Sequence, residues 1–141
     1  MQIKGPEALC QSYGQSLASK DGKMLAAHYL FPYISFTSGH IHRFDDRATA
    51  DESCAGQILR FERAGIGSDI RLTDYKVVPV SESSALCHLT WTVFPANDMA
   101  GWSWLNIYGY RRREAEEGFE FNISDNEIEQ LLQRVPNFFS L

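Results

Sequence analysis

The stretch GWSWLNIYGYRRR, residues 101–113, constrains this chain more than any other. A strand sends successive side chains to opposite faces, so Trp102, Trp104, Asn106, Tyr108 and Tyr110 share one side. Ser103, Leu105, Ile107, Gly109 and Arg111 take the other. The first side carries large rings with N–H or O–H groups and one amide between them. A closed core favours Leu, Ile, Val and Phe there, because each buried polar handle needs a partner. A ligand pocket uses such handles to orient its guest, and a subunit interface is also rich in Tyr and Trp. Three destinations are open to this face: pocket wall, dimer interface or ordinary core.

The neighbouring segments read as strands too. Over Ala85 to Pro95, one face carries Cys87, Leu89, Trp91 and Val93 and is core; the other carries Leu86, His88, Thr90, Thr92 and Phe94. Alternation also predicts strands over 69–80 and 119–123. The links are short and turn-like: Ser81 to Ser84, Pro95 to Asp98 and Glu114 to Gly118. Parallel neighbours need crossovers of a dozen or more residues, so these four strands predict an antiparallel meander.

Helical spacing dominates elsewhere. Pro6 opens a first helix that carries Leu9, Tyr13 and Leu17 four apart. A short second helix follows from Lys23 and ends before Pro32. Residues 33–37 and 40–44 predict a small hairpin around Ser38-Gly39. Asp45-Asp46 begins a third helix, with Ala50, Cys54, Ile58 and Phe61 on one side. Ser124-Asp-Asn-Glu127 reads as a capping box for a short C-terminal helix: Ser124 accepts from the Glu127 amide, and the Glu127 carboxylate reaches back.

Length and charge narrow the function. With 141 residues the chain predicts one domain, 1–141, and a formal charge of −5 disfavours nucleic acid as a partner. Cys10, Cys54 and Cys87 form no short-spaced pair, so neither a disulfide scaffold nor a zinc knot is expected. No apolar run reaches the roughly 18 residues of a membrane span, and a cytoplasmic protein away from membranes is the expectation. The sequence contains no GxSxG, phosphate-binding loop, dinucleotide fingerprint or HExxH. His40 and His42 point the same way on a strand near Asp45 and Asp46, short of a defined metal set, so no metal and no cofactor are expected.

Candidate chemistry gathers around the aromatic strand. Tyr108 is the preferred hydrogen-bond donor, with Asn106 and Tyr110 on the same face. His88 on the adjacent strand, or Asp125 at the strand-to-helix junction, is the candidate proton acceptor; imidazole titrates near neutrality, and burial raises a carboxylate. Trp102, Trp104 and Phe94 would pack a small hydrophobic ligand. Tyr33 ends the aromatic run 29–33, and His28 precedes it, either at the expected cavity mouth or as a satisfied packing residue. The apolar groups Leu105 and Ile107 on the opposite face predict a homodimer.

The order of elements, the aromatic strand and the run FEFNISDNEIEQLLQRVPNFF together resemble the NTF2-like superfamily. Within it, they resemble small SnoaL-like proteins, including those of fungal secondary metabolism. The resemblance covers nearly the whole chain, from the Tyr13 helix to Phe139. It implies an α+β cone: a strongly curved antiparallel sheet wrapped around N-terminal helices, with a short C-terminal helix. It also implies an internal pocket, pairing through the outer sheet face, and cofactor-free isomerase, cyclase or dehydratase chemistry or simple ligand binding. Tyr108, Tyr110, His88 and Asp125 are the positions that answer to the donor and base roles of such enzymes.

Overall fold

Acidic side chains start two of the helices by accepting free backbone N–H groups of the first turn. Asp21 Oδ1 accepts from the amides of Lys23 and Met24 at 3.1 and 3.2 Å, opening helix α2 (Gly22–Ala26) after α1 (Pro6–Ala18). Asp46 Oδ1 accepts from the Thr49 amide at 2.9 Å and opens α3 (Arg47–Arg63). The computed structural model describes residues 4–66, 69–95 and 100–141. Residues 96–98 of the turn expected after Pro95 lie outside them.

The strands are β1 (Tyr29–Thr37), β2 (His40–Phe44), β3 (Ile70–Ser81), β4 (Ser84–Val93), β5 (Trp102–Arg112) and β6 (Glu117–Ile123). Helix α4 (Asp125–Arg134) and a 3₁₀ turn, Phe138–Ser140, complete the chain. Strands β3 to β6 pair antiparallel in sequence order, as the short links require. The hairpin β1–β2 does not stand apart, however. Strand β1 joins β6 in parallel, giving one six-stranded sheet in the order β2-β1-β6-β5-β4-β3.

This corrects the expected fold. An open, mixed sheet replaces the strongly curved, wholly antiparallel cone, and its edge strands β2 and β3 do not meet. The short-link rule governs strands adjacent in sequence. It is silent on β1 and β6, which most of the chain connects, so parallel pairing is open to them. The joint is close: Phe119 N–H donates to the His28 carbonyl at 2.8 Å. A β-carbon at Gly118 would lie 2.6 Å from that same oxygen, so glycine is what lets the strands approach. The β1–β6 register slips between Tyr29 and Ile34, around Pro32, which has no N–H to give the ladder.

One face of the sheet is buried beneath the helices. Along β4 the burial alternates strictly, with Ala85, Cys87, Leu89, Trp91 and Val93 inside. Helix α1 packs on β3, α2 on α3, and α4 on β5. Trp91, Phe119, Phe138, Leu9, Leu89 and Leu131 are among the fully buried side chains. Among the described residues, no helix is long and apolar enough to cross a membrane.

Candidate functional site

A cavity of about 690 Å³ lies between the buried sheet face and the helices. That volume suits a small organic molecule. Its deep wall is aromatic, from Tyr13, Tyr29, Tyr33, Trp91, Trp104 and Tyr108. The rings interlock: Tyr29 and Tyr33 stack at 3.9 Å, and Tyr13 meets Tyr108 edge-on at 5.2 Å. The Tyr13 and Tyr29 hydroxyls share a hydrogen bond of 2.6 Å. Burial pushes the Tyr13, Tyr29, Tyr33 and Tyr108 phenols well up, so all four are neutral donors at any physiological pH. Cys54, also in the wall, is held in the thiol form by burial.

The polar part of the wall converges on Glu127. Its Oε1 accepts from Asn106 Nδ2 at 2.7 Å, and its Oε2 accepts from Gln57 Nε2 at 3.0 Å. Asn106 Nδ2 also lies 3.4 Å from the Tyr108 hydroxyl. Glu127 is buried, and desolvation raises its carboxyl above the usual range, opposed by the two amide donors that favour the anion. Carboxylate and phenol therefore sit on either side of one amide. Such a group can take a proton as the anion and return it as the acid, with neutral donors beside it. Asn106 Oδ1, Trp104 Nε1 and the Tyr33 hydroxyl are buried without a hydrogen bond of ordinary geometry.

Of the ten residues singled out from sequence, Tyr33, Trp104, Asn106 and Tyr108 line this cavity, and the other six do not. The β4–β5 register explains His88. Asn106 stands opposite Leu89 and Tyr108 opposite Cys87, whereas His88 stands opposite Ile107 on the outer face. Asp125 is turned away, its Oδ1 accepting from the Ser38 amide at 2.8 Å and tying the β1–β2 turn to α4. Trp102 and Tyr110 share the buried face but lie beyond the cavity at either end of β5; Arg134 covers the Trp102 ring, and Tyr110 bonds Glu117. Phe94 is 39 % exposed under the Arg71 guanidinium. His28 is enclosed, with Nδ1 on the Met24 carbonyl at 2.6 Å and Nε2 on the Ser12 hydroxyl at 2.7 Å; burial lowers its pKa.

Glu127 was hidden by its own motif. Ser124 makes no side-chain cap; its hydroxyl donates to Asn122 Oδ1 at 3.1 Å, and the Glu127 carboxylate goes to Asn106 and Gln57 rather than reaching back. The available signal was helical spacing. Glu127 lies one turn before Leu131, which is fully buried, and so shares its face. Among the described residues, no three His, Cys, Asp or Glu side chains form a group able to hold a metal.

No protein-family model and no curated protein matches the sequence. Solved structures do resemble it in shape. An NTF-2 like protein of unknown function from Shewanella oneidensis is 10 % identical, with a TM-score of 0.62 over 82 % of this chain and 91 % of that one. The fold is NTF2-like. A domain of unknown function with a cystatin-like fold from Nostoc punctiforme gives 15 % identity and a TM-score of 0.65, over 95 % of this chain and 83 % of that one. A ketosteroid isomerase-like protein from Erwinia carotovora gives 15 % identity and 0.60, over 83 % and 89 %. At these identities the likeness carries the NTF2-like fold and no activity.

Proposed function

We propose that this NTF2-like chain binds a small hydrophobic carbonyl compound in its cavity and moves a proton on it without a cofactor, as an isomerase, cyclase or dehydratase does. The observation that supports this is the Glu127–Asn106–Tyr108 cluster at the wall of an aromatic cavity. Glu127 replaces His88 and Asp125 as the proton acceptor. Its carboxylate takes a proton from the carbon beside the carbonyl, and the C–H electron pair moves onto the carbonyl oxygen. The Tyr108 hydroxyl donates to that oxygen, and the rings keep water out.

β-Tetralone, a compact bicyclic ketone, tests the reading. In deuterated buffer the protein should accelerate loss of its α-proton NMR signals, and Tyr108→Phe and Glu127→Gln should each slow the exchange by about a hundredfold. Saturable binding without accelerated exchange would favour the second reading, a pocket that holds a ligand without turning it over. That alternative rests on the same cavity and needs no acid–base group.

We also propose that two copies pair through the outer sheet face. Leu105 and Ile123 there are each 39 % exposed, and they flank the half-buried Ile107.

A further inference from the structure

The cavity lining is not aromatic throughout, and its basic residues have their own chemistry. His42 stands opposite Ser35 and His40 opposite Thr37 in the β1–β2 register, and all four side chains line the cavity. The two imidazoles lie on the same side of β2 with ring centres 6.4 Å apart, and both are exposed. Arg60 of α3 also lines the cavity, its guanidinium 5.8 Å from the ring of Phe139, another exposed lining residue. Among the described residues Arg60 makes neither an ion pair nor a side-chain hydrogen bond, unlike Arg43, Arg47, Arg71, Arg111 and Arg113.

The charge balance is unusual for this chain. Its formal charge is −5, yet the lining holds a permanent cation and two imidazoles against one acid, Glu127. That acid is enclosed by two amides at the deep wall. We propose that the ligand is an amphipathic carboxylic acid: a hydrophobic body among the tyrosines and tryptophans, and a carboxylate on Arg60, in a lining whose other basic groups are His40 and His42. A planar guanidinium fork matches a carboxylate, and one fixed cation balances one negative charge. The inference rests on the cavity being a ligand site, as proposed above, and adds the head group.

The test compares naphthylacetate with its neutral isostere naphthylacetamide by calorimetric titration. The native protein should bind the acid about tenfold more tightly than the amide, the value of one charge-assisted contact. Arg60→Gln should bring the two within about twofold, the acid losing more affinity than the amide, and Arg60→Lys should keep part of the preference. Arg63→Gln, an exposed change outside the cavity lining, should keep all of it. Equal binding of acid and amide by the native protein overturns the head-group inference alone, as does an acid preference that survives in Arg60→Gln. Failure of both probes to bind overturns the ligand-site reading with it. Should Arg60→Gln fold poorly, Arg60→Lys read against Arg63→Gln carries the same decision.

Discussion

Asn106 Nδ2 donates to Glu127 Oε1 across 2.7 Å, joining strand β5 to helix α4 at the inner wall of the cavity. A raised carboxyl pKa means that the folded chain keeps a proton the unfolded chain has lost. Stability therefore falls as pH climbs from the ordinary glutamate value of about 4.3 through the folded one. Glu127→Gln removes that dependence. Its melting temperature should gain on the native protein as pH rises above the ordinary glutamate value, the direction set by the upward shift. Parallel melting profiles for the two proteins would show that folding does not raise the Glu127 pKa.

The sign reverses at His28. Burial lowers its pKa, so the unfolded chain binds the proton first and stability is lost as pH falls below the usual imidazole value of about 6.5. Its ring signals in NMR should titrate below that value. A midpoint at or above it would contradict the enclosed neutral imidazole between Ser12 and Met24.

Gly118→Ala should destabilise the chain by about 1–3 kcal/mol, because the added carbon meets a backbone oxygen that cannot swing aside. Chemical denaturation measures this directly. Unchanged stability would mean that the β1–β6 joint has slack the 2.6 Å approach does not suggest.

Leu105→Arg tests pairing through the outer sheet face. Light scattering at micromolar concentration should give a dimer mass for the native chain and a monomer mass for the variant, with the fold retained by circular dichroism. A native monomer at every concentration would remove the proposal.

Much of the architecture was legible because it depends on local rules. An acidic cap marks α3, short turns force the antiparallel meander β3 to β6, and alternation places Trp104, Asn106 and Tyr108 on one buried face. What escaped depends on relations between distant segments. His88 missed the cavity because alternation sorts each strand into two faces without saying which faces coincide; the pairing of Leu89 with Asn106 decides that. The parallel β1–β6 contact has no local signature. Glu127 was legible twice over, as a cap by its motif and as a core position by its distance from Leu131, and the second signal described the side chain.

The parallel contact also orders events during synthesis. Ser35 and Asn122 are hydrogen-bonded across the cavity wall yet stand 87 residues apart in the chain. Closing so long a loop is entropically costly and comes late. A ribosome delivers β1 well before β6, so a nascent chain can form its first helices and the β1–β2 hairpin with no partner for the inner edge of β1. Until β6 arrives, that edge and the tyrosines beside it are open to other nascent chains. Pairing of β6 with β1, which brings Asn122 to Ser35, is therefore the step that closes this exposed edge.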